Sequence, residues 1–202
     1  MRTRAGGVAC VLAGVLIALW MVGQAQPPLP NEPRLDDPNG LLRQAAASKL
    51  VQQASAPRHA VIEHLMGFAG RSSDERDAEF FAAKFLAMNC LGELRAEEAI
   101  PLLIRGIEYR PHEVVSEDSP FLGAPAARAL ARIGLPSVVR ILRADVVSDA
   151  SPEALRRYAL VIRYVFPDAK TAKAFVDAYD PGYTPEARAK LDELKKELAK
   201  LP

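Results

Sequence analysis

The chain has 202 residues, half of them apolar, a quarter charged and 6% aromatic, with 26 basic side chains against 25 acidic ones. That length allows one domain with a continuous core or two very small ones, and the apolar fraction excludes disorder over most of the chain. Near-neutrality excludes a nucleic-acid binder driven by bulk charge, while 16 prolines with recurring alanine and leucine favour short helices and tight turns over a sheet.

The chain opens with Arg2 and Arg4, followed by an apolar run from Val8 to Val22 that breaks at Gly23 and Gln24. Positive, then apolar, then small and polar is the order of a secretory signal peptide, and Gly23 and Ala25 suit cleavage after Ala25. The run is roughly 15 residues against the about 20 that a spanning helix needs, which favours cleavage over an uncleaved membrane anchor. No cysteine ends the run and Thr3 separates the two arginines, so a lipoprotein anchor and paired-arginine export are both disfavoured. Residues 1–25 are therefore expected to be a signal peptide, with an N-terminal anchor as the alternative. Removing them takes away two arginines, leaving 24 basic residues against 25 acidic, and leaves Cys90 as the sole cysteine. A disulfide framework is then excluded, and Cys90, between apolar neighbours, is expected to be a small buried helix residue. Residues 26–39 carry prolines at 27, 28, 30, 33 and 38 and read as an extended, proline-rich linker.

From residue 40 to 202 the pattern is all-α. GLLRQAAASKLVQQ and PRHAVIEHLMGFA form a degenerate leading helix pair, with Pro57 suited to a helix start. The clearest signal follows, in AAKFLAMNCLGELRAEEAIPLLIRGI from Ala82 and APAARALARIGLPSVVRIL from Ala124. Aligned on Gly92 and Gly134, 42 residues apart, Phe85 matches Ala127, Ala87 matches Ala129, Met88 matches Leu130 and Leu91 matches Ile133. These offsets give one apolar helical face, and each glycine is expected to close its helix in the left-handed conformation before a second apolar stretch, Ala99 to Ile107 or Val138 to Leu142. The unit is helix, turn, helix, with a period typical of helical-hairpin solenoids. LGELRAEEAIPLLI resembles the HEAT repeats, especially the short variety named after the phycobilisome lyases, over residues 82 to 107 and again over 124 to 142.

A weaker copy continues with PEALRRYALVIRYVF from Pro152 and AKTAKAFVDAY from Ala169, with Pro167 in the turn. The last segment, YTPEARAKLDELKKELAKLP, places Thr184 as a cap, Pro185 in the first turn and lysines at the end. Leu191, Leu194, Leu198 and Leu201 form a stripe that reads as a terminal capping helix, the alternative being a coiled-coil seam. The expected architecture is an α-solenoid of stacked antiparallel helical hairpins with a C-terminal cap.

Catalytic signals are sparse. His59 and His64 are five apart, about 140° around a helix, so they do not share a face as metal ligands would. His59 and Glu63 do share one, as an ordinary helix contact. His112-Glu113 is a lone histidine-glutamate pair, whereas deoxyhypusine hydroxylases, built on the same repeats, bind iron through several. No catalytic residue, metal site or cofactor is expected.

One departure from the repeat lies between Ile107 and Leu122, where the loop from Glu108 to Ser119 carries Tyr109, Arg110 and His112. Insertions in repeat proteins gather on one face, often the binding face. The HEAT resemblance implies that second helices line a concave surface, which would present Arg105, Arg140, Arg143, Lys170 and Lys173, interrupted by Glu108 and Asp177. These residues with Tyr109, Arg110 and His112 form the candidate partner-binding set. The expected function is a non-catalytic scaffold or adaptor, periplasmic or secreted, binding an acidic protein or peptide; the alternative is a lyase-like or metal-dependent enzyme, or enzyme accessory, with a site at the loop. Nucleic acid is not an expected partner, and a membrane is one only through an uncleaved segment.

Overall fold

Proline opens half of the helices. The computed structural model describes residues 35, 40–53, 58–70, 78–110, 121, 123–179 and 182–202, all within a unit running from Pro33 to Pro202. Its helices are α1 (Gly40–Gln53), α2 (Arg58–Gly70), α3 (Ala78–Glu93), α4 (Ile100–Arg105), α5 (Pro125–Ile133), α6 (Leu135–Ile141), α7 (Ala144–Ser148), α8 (Pro152–Val165), α9 (Ala169–Ala178) and α10 (Pro185–Ala199). Pro101, Pro125, Pro136, Pro152 and Pro185 sit in first turns, where a missing N–H costs nothing and the fixed φ is already helical. Ser151, Asp168 and Thr184 cap α8, α9 and α10 by accepting the N–H of Ala154, Thr171 and Ala187 at 3.0, 2.7 and 3.3 Å. No strand occurs among the described residues. None of their helices is long and apolar enough to cross a membrane. The expected signal segment, most of the linker, and the loop beyond Arg110, including His112, lie outside the described residues.

The protein is an all-α solenoid. The longer helices α3, α5, α8 and α10 pack side by side in that order, and α4, α6 and α9 return alongside them as the second helices of their pairs. Both α1 and α2 pack on α3, and α10 covers α8, α7 and α9 at the C-terminal end. Its stripe Leu191, Leu194 and Leu198 is buried inside the chain, which makes it a cap and takes it out of use as a seam. Leu35, in the segment read as a linker, is 2% exposed and belongs to the apolar core.

The aligned positions confirm the register. Ala87, Met88 and Leu91 on α3 and Ala127, Ala129, Leu130 and Ile133 on α5 are all buried, Phe85 being half-buried. Polar ties repeat at nearly the same interval. Cys90 to the Ala47 carbonyl, Arg132 to Glu93, Ser151 to Glu108, Arg110 to Glu153, Tyr183 to the Leu142 carbonyl and Arg163 to the Pro202 carbonyl all span 39 to 43 residues. Each joins one unit to the next, as nearest-neighbour stacking requires.

The two glycines do different work from each other. Gly134 closes α5 as expected, with φ +92° but ψ −142°, a backbone open to glycine yet outside the left-handed helical conformation. Gly92 instead lies inside α3, and the left-handed residue after that helix is Arg95, at φ 48°. Around Arg95 the Ala96 N–H reaches the Leu91 carbonyl and the Arg95 N–H the Gly92 carbonyl, both at 3.0 Å, the double bond of a Schellman turn. What Gly92 supplies is room, since a Cβ there would stand 2.7 Å from the Cα of Ala129. The short helix α7 was not foreseen; it occupies what reads in sequence as a connector.

Two substitutions test these assignments by denaturant unfolding. Gly92→Ala is expected to cost about 1–3 kcal/mol, because backbone must move. Arg95→Gly is expected to gain about 0.5–1 kcal/mol, the relief of a left-handed side chain less the added chain entropy. Equal melting of Gly92→Ala and the parent chain would refute the close-approach assignment.

Candidate functional site

The second helices carry the cations that the sequence suggests. Arg105 ends α4, Arg140 lies in the last turn of α6, Arg143 follows it, and Lys170 and Lys173 lie on α9. They are not equivalent. Arg143 Nε is 3.1 Å from Asp145, and Lys173 Nζ is 3.1 Å from Asp177, which Lys195 also reaches at 3.0 Å. Those cations hold both carboxyls below their usual range, the hydrogen bonds from Arg143 and Lys195 contributing most. Among the described residues, Arg105, Arg140 and Lys170 make no ion pair and no side-chain hydrogen bond.

The loop residues divide as well. Tyr109 is half-buried after α4, with Lys84 Nζ 4.8 Å from its ring centroid, and burial raises its phenol to about 12. Burial also lowers the Lys84 ammonium. Arg110 is engaged by Glu153 on α8. Neither is an unattached loop side chain.

Two surface features lie on this side of the molecule. The first is an open groove of about 740 Å³ between α4 and α6, lined by Glu97, Ile100 and Pro101 on one wall and Leu135, Pro136, Val139, Arg140 and Arg143 on the other. Leu135 and Val139 are four residues apart and share the outward face of α6, while Val138 and Ile141 fill the core beneath. Leu135 is 48% and Val139 39% exposed, two of the three large apolar side chains so exposed among the described residues. The groove continues into a depression lined by Val139, Arg143, Ala144, Asp145 and Tyr179. Apolar side chains beside an unpaired guanidinium are suited to an apolar segment bearing a carboxylate.

The second feature is a smaller, more enclosed cleft of about 440 Å³, where α4 and α7 end and α8 begins. Arg105, Glu108, Asp145, Asp149, Ser151 and Tyr158 supply its polar lining, and Ile104, Ile107 and Val146 part of its apolar lining. The groove and the cleft meet at the Arg143–Asp145 pair, one member of which lines each.

Beside the cleft lies a residue that sequence reasoning missed. Arg157 on α8 is 4% exposed, yet all its charge is answered: Nη1 donates to the carbonyls of Ile107 at 2.7 Å and Tyr109 at 3.1 Å, and Nε to Glu153 at 2.9 Å. It thereby pins the start of the 108–119 loop to α8. Glu153 also accepts from Arg110 and, at 3.3 Å, from Arg156. The Arg110 hydrogen bond, followed by that of Arg157, holds its carboxyl below the ordinary value of 4.5. No sequence signal separates Arg157 from its exposed neighbour Arg156; only the phase of α8 does.

Elsewhere the reactive side chains are held in ordinary contacts. Cys90 is buried as expected, and burial, then the charge of Glu93, raises its thiol to about 11, which keeps it protonated and unreactive at neutral pH. His59 meets Glu63 at 3.2 Å on an exposed helix face. Among the described residues no three His, Cys, Asp or Glu side chains are gathered to hold a metal ion.

Residues 84–109 match the family model described as PBS lyase HEAT-like repeat. The match falls on the first of the aligned copies, so the expected HEAT resemblance is borne out there and the chain carries a HEAT-like repeat scaffold. No curated protein and no solved structure matches the chain significantly.

Arg157→Ala is expected to destabilise the protein by about 2–4 kcal/mol, because two carbonyls lose their partner and Glu153 loses one of its cations. The depressed Glu153 pKa fixes the sign of the acid response. Its contribution is fully present above the unfolded glutamate value and is lost as pH falls through the lower folded value. Arg110→Ala should therefore flatten the acid limb of a stability-versus-pH curve; an unchanged limb would assign that titration elsewhere.

Proposed function

We propose that the protein is a non-catalytic interaction scaffold or adaptor that holds a partner segment against the α4, α6 and α9 face and the adjoining start of the 108–119 loop. The observation that carries this reading is Leu135 and Val139, solvent-exposed on α6 beside the unpaired Arg140. A helix of seven residues presenting leucine and valine outward, with its core positions already filled, gains nothing in stability from them. Their exposure makes sense as a contact made with another molecule. The occupant is an apolar segment carrying acidic side chains, because Arg140 and Arg143 edge the same groove and a carboxylate would satisfy the former.

Site-specific photocrosslinking in the native cell tests the face. A crosslinker at Leu135 is expected to yield a discrete adduct that Arg140→Glu diminishes at least severalfold, with none from Tyr164, which is 55% exposed on the other layer. Equal labelling from both positions would show that the groove is not the docking face.

We also place the scaffold in the cell envelope, on the strength of Arg2, Arg4, the Val8–Val22 run and the small residues at 23 and 25. Amino-terminal sequencing of the native protein should begin at Gln26, or at Met1 in a membrane fraction if the segment is retained. An intact Met1 in the soluble cytosol would overturn the placement.

A further inference from the structure

The cleft beside the groove calls for a ligand of opposite charge to the one that suits Arg140. Three carboxylates, Glu108, Asp145 and Asp149, share its lining with one guanidinium, Arg105. Asp145 is engaged by Arg143 at 3.1 Å, which leaves Glu108 and Asp149 against Arg105. Both are steadied by neutral donors, Glu108 by the Ser151 hydroxyl and Asp149 by the Ser148 hydroxyl at 3.3 Å, so their charge is positioned without being cancelled. The ends of α4 and α7 add the partial negative charge of their last carbonyls, while the positive start of α8 is already capped by Ser151.

A second observation is independent of that charge count. Tyr158 lines the cleft, is 3% exposed, and its hydroxyl has no hydrogen-bond partner among the described residues. Its oxygen is not sealed from solvent, so it stands open to a donor that enters the cleft. Its titration agrees with a place beside an anion: burial chiefly, then the charge of Glu108, raises the phenol to about 12.

We infer that the cleft receives a lysine or arginine side chain of the segment docked in the neighbouring groove, an inference that rests on the scaffold reading. The cation lies between Glu108 and Asp149 and donates to the Tyr158 oxygen, and Ile104 and Ile107 cover its methylenes. Arg105, unpaired in the same lining, meets a carboxylate adjacent to that basic residue. The partner would then carry both signs of charge, acidic and apolar residues over α6 and a basic residue over α7. The Arg143–Asp145 pair marks the boundary between the two regions.

The probe is Nα-acetyl-L-lysine methylamide, titrated into the full chain and followed by amide chemical shifts, with the norleucine analogue as the uncharged control. Saturable shifts at Glu108, Asp149 and Tyr158 are expected, with a Kd on the order of millimolar for one isolated side chain. The norleucine analogue should produce none. Glu108→Gln combined with Asp149→Asn should weaken binding about tenfold or more, and Tyr158→Phe about threefold, in variants whose thermal melts match the parent chain. Absence of saturable shifts, equal shifts with norleucine, or binding indifferent to the carboxylate substitutions would each overturn the inference. The titration reads the cleft and the Leu135 crosslink reads the groove, so that failure of the one and failure of the other are told apart.

Discussion

The distance between α3 and α5 is set by an absent methyl group. With hydrogen in place of a side chain at Gly92, the Ala129 backbone comes so near that even a Cβ would be 2.7 Å from its Cα. Everything along that layer is scaled to the same spacing. Ala83 and Ala87 on α3, Ala126, Ala127 and Ala129 on α5, and Ala154 and Ala159 on α8 are all fully or nearly fully buried. Helices this close leave little volume for rings, which is why a chain with 6% aromatic residues still has a continuous core. Small side chains lose little rotamer entropy on burial, so close contact is gained with little ordering cost.

Polar groups hold the stack in register. Apolar contact between alanine-rich helices is tolerant of sliding, whereas a hydrogen bond to one particular carbonyl is not. The Tyr183 hydroxyl on the Leu142 carbonyl and Arg157 on those of Ile107 and Tyr109 are such constraints, buried or partly buried and each joining successive units. Arg157 has a second effect. By holding the chain on both sides of Glu108, it fixes one wall of the cleft from beneath, so that the site's geometry and the solenoid's stability share a residue.

Much of the fold is legible in the sequence, because its punctuation is local. Prolines and capping side chains mark helix starts wherever they fall, and the 42-residue register between Gly92 and Gly134 identifies the buried face of α3 and α5. What is not legible depends on neighbours. Gly92 looks like a helix terminator because glycine usually is one; its use as a spacer follows only from where α5 lies. Arg95 carries no mark of its left-handed backbone. Of the candidate cations, the sequence locates Arg105, Arg140 and Lys170 correctly on second helices but cannot show that Arg143, Lys173 and Arg110 are already paired. Leu135 and Val139 were overlooked because α6 is apolar on both sides, and only the packed structure tells the inward Val138 from the outward Val139.

The interval of 39 to 43 residues between tied groups bears on how such a chain can change length. Each of these six ties closes a loop of about one unit, and the entropy of closing a loop changes only slowly with its length. A tandem duplication of one whole unit would therefore meet the same interfaces, at the same entropic cost, as those already present. A duplication out of phase would bring first helices against second helices and strand each of these donors. Growth or loss by whole units is thus the evolutionary path of least resistance for this scaffold, with the α10 cap carried along at the end.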